Sequence, residues 1–297
     1  MVPPGILLVD KPTGLTSHDV VARTRRAFGT RKVGHAGTLD PMATGLLVLG
    51  IEGATRLLTY IVGADKTYEA TIRLGWTTTT DDADGEIVTR ADPVAWEAVT
   101  DSSLDDGIAA LTGAISQVPS TVSAIKVDGR RAYDRVRAGE DVVLVARDVV
   151  VSRFDVIARR EGAGFLDLDV AVDCSSGTYI RALARDLGAG LGVGGHLTAL
   201  RRTRVGPFGV RDAVRLDALT GTATLTPAEA ASRVLPSFAV SEEEARDLRH
   251  GKRIHGRAGE IASTPAAAID PDGVLVGIVE KRGADLKSAM NMPEVLR

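Results

Sequence analysis

Residues 147–175 hold two long runs, "RDVVVSRFDVIARR" and "FLDLDVAVDCS", separated only by "EGAG". Apolar and polar residues alternate along them, which puts successive side chains on opposite faces of an extended chain. A short glycine-bearing break between two such runs closes them into an antiparallel hairpin. A hairpin of this length commits the chain to a sheet. "TYEATIRLGWT" alternates as well, and "DADGEIVTR" follows it with an Asp84-Gly85 pair that signals a further hairpin turn. "GILLVD" and "GLLVLGI" are short apolar runs that read as buried strands. Before the alanine- and threonine-rich connector and helix that precede Pro236, helical spacing marks three places. "SHDVVARTRRAF" has Ser17 as its expected N-cap and Val20, Val21, Thr24 and Phe28 on one face; residues 92–111 and "TYIRALARDLGAG" are the others. Strands outnumber helices and come largely as hairpins. The expected class is therefore α+β, with a mixed, mostly antiparallel sheet flanked by helices.

At 297 residues and 44% hydrophobic, the chain can bury a large core together with an appendage. A boundary is expected near Pro236, where "SEEEARDLRHG" supplies a fresh capping box (Ser241, Glu244) and a glycine stop. Short strands follow around "AAAID" and "GVLVGIVE", joined by a Pro271-Asp272-Gly273 turn. The expected division is 1–236 for the main domain and 237–297 for a small β-rich module.

The net charge of −3 argues against a uniformly basic coat, but charge is segregated along the chain. Acid gathers in "DDADGE" and "DSSLDDG", base in "RTRRAFGTRK", "KVDGRRAYDRVR" and "RRTRVGPFGVRDAVR". Most of the positive charge is arginine, whose planar fork suits phosphate, so three separate clusters point to a polyanionic partner. An aromatic content of 4% counts against a single-strand binder built on stacking platforms. No stretch approaches the roughly 18 apolar residues that a membrane span requires. "GILLVDKP" is too short for a signal-peptide core. The single cysteine, Cys174, excludes an internal disulfide framework and fits a reducing cytoplasm.

Several chemical motifs fail on context. "GLGVGG" (190–195) satisfies the dinucleotide pattern but follows a helix instead of a strand, so it reads as a glycine-rich helix stop. "DDADGE" lacks the flanking carboxylates of a calcium loop, with Thr80 and Ala91 at the first and twelfth positions, and reads as a turn. There is no zinc spacing, no serine elbow and no phosphate loop. The expectation is a protein without metal or cofactor, whose chemistry comes from its side chains.

"GHAGTLDPMATG" (34–45) then stands out, with neither strand alternation nor helical spacing. Gly34 and Gly37 allow positive φ or a close approach, and Pro41 steers Asp40 away from helical geometry. Asp40 should sit on a shaped loop, where an aspartate is a credible nucleophile or general base. Together with "LLVDKPTGLTSHDVV", "DKTYEA", "VPSTVSAIKVDGRRAYDRVRAG", "CSSGTYIRALARDLG" and "HLTALRRTRVGPF", this stretch resembles the tRNA pseudouridine synthases of the TruB family. The likeness runs from residue 6 to about 215, in the family's order and rough spacing.

The resemblance implies an isomerase that converts uridine 55 in the T-loop of tRNA to pseudouridine, after flipping the nucleotide out of its stack. It implies Asp40 as the essential aspartate and Arg181 as the arginine that keeps it ionised where water is excluded. It implies Tyr68 as the tyrosine packed on the flipped base and a candidate for proton removal from carbon. Tyr179 and Leu200 would line the uracil pocket, and His35 would support the disrupted T-loop. Lys11 and Pro12 match the family's first motif and would support the pocket on the substrate side. An arm at about 117–141 would cover the T-loop, with Lys126, Arg130 and Arg131 on phosphates. The C-terminal module resembles the small RNA-binding PUA domain and would reach toward the acceptor stem. "GATR" (53–56) departs from the family in carrying Arg56 where lysine is usual, with the charge kept.

Two other readings share this scaffold. One is a non-catalytic tRNA-binding or RNA-chaperone protein, which would need none of Asp40, Tyr68 and Arg181. The other is a synthase acting on a different RNA within an assembly. The sequence displays no docking extension, so a cytoplasmic monomer without an obligate protein partner is expected.

Overall fold

A computed structural model describes residues 2–120, 126–127, 130–131 and 144–293, with the backbone alone for 126–127 and 130–131. The arm expected over 117–141 lies mostly outside the described residues, as do the side chains of Lys126, Arg130 and Arg131.

The chain opens with β1 (Gly5–Lys11), α1 (Ser17–Phe28), β2 (Val33–His35) and β3 (Thr44–Ile51). Next come α2 (Leu58–Val62), β4 (Lys66–Leu74) and a ribbon of β5 (Trp76–Thr78) and β6 (Ile87–Arg90). Then follow α3 (Pro93–Glu97), α4 (Asp101–Ala110), β7 (Gly113–Gln117) and a two-residue ladder of β8 (Lys126–Val127) with β9 (Arg130–Arg131). The hairpin β10 (Arg147–Gly162) and β11 (Phe165–Cys174) precedes α5 (Ile180–Gly190), β12 (Gly195–Val205), β13 (Phe208–Gly209) and β14 (Val214–Arg215). After α6 (Pro227–Val234) the chain builds a second sheet from β15 (Ser237–Ala239), β16 (Ala266–Ile269), β17 (Leu275–Arg282) and β18 (Asp285–Asn291), with α7 (Glu242–Arg249) between β15 and β16.

Ten strands make the main sheet, in the order β14-β1-β3-β12-β4-β11-β10-β7, with β13 on β12 and β2 on β3. Only β1–β14 and β3–β12 run parallel, so the sheet is mixed and mostly antiparallel, and the class is α+β. The continuous apolar runs lie in its covered part. On β1 and β3, Leu7, Val9, Leu47 and Leu49 face a core with α1 and α5, whereas Ile6, Leu8, Leu46 and Val48 face α6 and the second sheet. Both faces are buried, which is why these strands do not alternate. The second sheet shares that lower core through Ala267, Leu275 and Ile278, and turns Ala266, Ala268, Val276 and Val279 toward α7.

Several local expectations change. Thr16, not Ser17, caps α1, because Asp19 stands at the third helical position and returns the bond of a full capping box. Ser17 is buried inside the first turn and bonds Leu39 instead. Residues 92–111 split into α3 and α4 at the Thr100 cap. The hairpin at Asp84-Gly85 joins β5 to β6 and not to β4, which pairs with β11 and β12. Residues 79–86 form its loop, and they fold in against β12, where Leu197 N–H donates to Asp81 O at 3.0 Å. "GLGVGG" closes α5 as a helix stop.

Candidate active site

Asp40 lies between β2 and β3 on a loop that is tied down on every side. Ser17 Oγ accepts the Leu39 N–H at 2.9 Å and donates to Leu39 O at 3.2 Å. Lys11, fully buried, donates from Nζ to Pro12 O, Leu15 O and Pro41 O. Arg202 of β12 donates to Gly37 O, Thr38 O and Leu46 O. Gly45 ends the loop at φ +100°, where a Cβ would stand 2.2 Å from Arg202 O, so only glycine lets the strands approach this closely.

Facing this loop is the first turn of α5. Arg181 Nε lies 3.0 Å from Asp40 Oδ2, its Nη1 lies 3.2 Å from Asp82 Oδ2, and Nη1 also donates to Thr80 O at 2.9 Å. The Arg181 and Asp82 side chains are 4% and 6% exposed, whereas Asp40 is 35% exposed because it opens into a cavity. Burial pushes the Asp40 carboxyl above the usual aspartate range, and the Asp82 charge adds to this. The charge and hydrogen bond of Arg181, and more weakly Lys11, pull it partway back. Two carboxylates gripping one guanidinium fix its fork in place, which a lysine ammonium would not match.

The cavity has a volume of about 260 Å³ and is lined by Asp40, Tyr68, Tyr179, Arg181 and Leu200, with Lys66 and Arg202 deeper in its wall. Its size is at the small end for ligand sites, suited to one nucleoside. The structure thus gathers five of the sequence-derived residues, from the β2–β3 loop, β4, α5 and β12, into one chamber. Tyr68 is buried, and burial raises its phenol above the ordinary tyrosine value, so the hydroxyl keeps its proton at neutral pH. Tyr179 is the N-cap of α5, held by a two-way bond between its backbone and Gln117.

The remaining residues lie elsewhere. His35 is outside the cavity lining, its ring 5.6 Å from that of His18 in an edge-on pair. Lys11, read as structural support for the pocket and counted with the substrate-binding residues, sits wholly inside the protein and meets the Asp40 loop at its backbone. Burial lowers its ammonium to about 8. The side chains of Lys126 and Arg130 fall outside the described residues.

Three residues went unread in the sequence. Asp82 belongs to a stretch read only as a turn, and it is one: its Oδ1 accepts from Thr80 and from the Asp84 N–H. The other oxygen reaches Arg181, a partner 99 residues away that no local pattern reveals. Lys66 and Arg202 could have been found, because each stands two residues from a flagged one, Tyr68 or Leu200, and alternation puts such pairs on one face. Lys66 donates to Val62 O and Ala64 O, and burial lowers it to about 8.

Comparison with known proteins gives the family of the chain. A model of the TruB family pseudouridylate synthase N-terminal domain matches residues 25–180. Models of the tRNA pseudouridylate synthase B C-terminal domain and of the tRNA pseudouridine synthase II C-terminal region match 181–238 and 235–293. The chain is 62% identical to tRNA pseudouridine synthase B of Leifsonia xyli subsp. xyli, over 99% of this chain and 98% of that one. It is 58% identical to the protein of that name from an Arthrobacter species, over 96% and 95%. Among solved structures, an H/ACA ribonucleoprotein bound to a substrate RNA containing 2'-deoxyuridine shares the fold, with a TM-score of 0.71 at 23% identity. That match covers 98% of this chain and 85% of the other. With half of its length inside the N-terminal family model and these relatives matched along nearly all of it, the chain belongs to the TruB family of pseudouridylate synthases.

Proposed function

We propose that this protein isomerises uridine to pseudouridine in tRNA, at position 55 of the T-loop. The observation that carries this reading is the Asp40–Arg181 pair, 3.0 Å apart at the wall of a nucleoside-sized cavity in a chain of this family. The reaction breaks the N1–C1' bond of the uridine, turns the base and joins C5 to C1'. The C5 hydrogen leaves as a proton and N1, freed from the sugar, takes one up, so atoms balance and no electrons are gained or lost. Asp40 supplies the charged oxygen for this exchange, toward the base or the sugar. Arg181 keeps that oxygen ionised in a site closed to water and fixes its direction. Tyr68 packs on the everted base and, keeping its own proton, turns its O–H toward it. Tyr179 and Leu200 frame the ring, and His35 supports the RNA from which the nucleotide has swung out.

Residues 1–236 form the catalytic part in this reading, and residues 237–297 hold the RNA away from the reacting base. Lys126 and Arg130 meet phosphates, and the enzyme works in the cytoplasm as a monomer. A set of T-arm stem-loops with tritium at C5 of a single uridine, moved from position to position, tests the assignment. Tritium should be released from position 55 alone and with chelator present. Release from another position, or none from any, would overturn it.

A further inference from the structure

Arg202 has a place in the cavity that the reaction described above does not use. Its side chain is 1% exposed, yet its hydrogen bonds run to uncharged oxygens, three backbone carbonyls and the Tyr68 hydroxyl. Burying a guanidinium against neutral oxygens is costly, and an apolar side chain of similar volume would fill the space at less expense. The positions of those oxygens show what the charge does there. Gly37 O at 3.1 Å and Thr38 O at 3.3 Å belong to the loop that ends in Asp40, and Leu46 O at 2.8 Å belongs to β3. In the β12–β4 ladder Arg202 stands directly opposite Tyr68, and both side chains line the cavity. Residues paired across a ladder lie within about 5 Å of each other at Cβ.

We propose that Arg202 is a positioning residue that sets the Asp40 loop and the Tyr68 hydroxyl in one frame. The inference rests on the reading of the site given above. Arginine has donors and no acceptor, so toward Tyr68 it meets the hydroxyl oxygen and leaves the O–H hydrogen free for the substrate. Its charge pulls the Tyr68 phenol back from the rise that burial imposes. One planar fork reaches all of these groups at fixed angles. A lysine in its place has a single flexible ammonium and cannot hold both loop carbonyls and the β3 carbonyl together.

Two variants test this, Arg202→Lys and the uncharged, unbranched Arg202→Met, each compared with the parent enzyme. With enzyme in excess over T-arm RNA, the isomerisation rate of Arg202→Lys should fall about 100-fold, the scale of a small misplacement of reacting groups. The RNA Kd should stay within about threefold, and the variant should still unfold cooperatively, so the loss lies in the chemical step. The second readout needs no turnover: fluorotyrosine labelling, with the Tyr68 resonance assigned through Tyr68→Phe, follows the phenol by 19F NMR. Its titration should move to higher pH in Arg202→Met, because the favourable positive charge is gone. A rate per folded molecule within about twofold of the parent for Arg202→Lys would overturn the proposal. So would a Tyr68 titration unmoved in Arg202→Met. A parent enzyme that forms no pseudouridine would instead defeat the functional reading, with the Tyr68 titration still deciding the link to Arg202.

Discussion

Asp40 is pulled two ways: burial and Asp82 favour its protonated form, while Arg181 and Lys11 favour its charge. The balance is a carboxyl above the usual aspartate range, so between the unfolded value of about 3.9 and the folded one the native state binds more protons than the unfolded state. Stability from this group is present at low pH and is lost as pH rises through that window. Asp40→Asn should therefore melt at or above the parent's Tm at pH 7 in a thermal unfolding experiment, while turnover disappears. Asp82→Asn removes one of the charges that raise Asp40, so the acid limb of the single-turnover pH profile should move to lower pH. Its plateau should drop between about 10- and 100-fold, because Arg181 loses the carboxylate that orients it. Cys174 is the contrasting case. Buried at 1% exposure and pushed up to about 11, its thiol should resist alkylation at neutral pH until the chain unfolds, as mass spectrometry would record.

Among the elements, α1 supports the site as well as the fold. Thr16→Ala should cost about 1 kcal/mol by removing the cap, a change read from denaturant unfolding, with the isomerisation rate little altered. Ser17→Ala leaves the cap in place but strips the Leu39 N–H of its partner next to Asp40. It should cost about 1–3 kcal/mol and slow the reaction as well. The sequence reading put the cap at Ser17; the cap falls on Thr16 because Asp19 stands three residues after it. Strand alternation was readable, so the β10–β11 hairpin and β4 emerged directly. β2 and β15, at three residues each, are too short to show a period. The loop between β5 and β6 was recognisable as a turn. Its second task, carrying Asp82 to Arg181, depends on contacts with β12 and α5 that adjacent residues do not encode.

The whole molecule joins two sheets through one apolar layer. Ile6, Leu8, Leu46 and Val48 of the main sheet belong to the same cluster as Ala267, Leu275, Ile278 and Met292. A chain ending at residue 236 would expose that layer, and it should melt well below the full protein and aggregate on heating, as light scattering would show. Charge at this scale is mostly balanced: on the outer face of the main sheet Arg73, Arg153 and Arg160 pair with Asp167, Asp173 and Asp169. The most direct measurement uses minimal T-arm RNA carrying C5 tritium, in chelator, with parent and Asp40→Asn enzymes in excess. The parent should release the label while Asp40→Asn releases none and binds the RNA with a Kd within about twofold. Label released by Asp40→Asn, or RNA binding lost together with release, would contradict an ionised Asp40 as the group that drives the isomerisation.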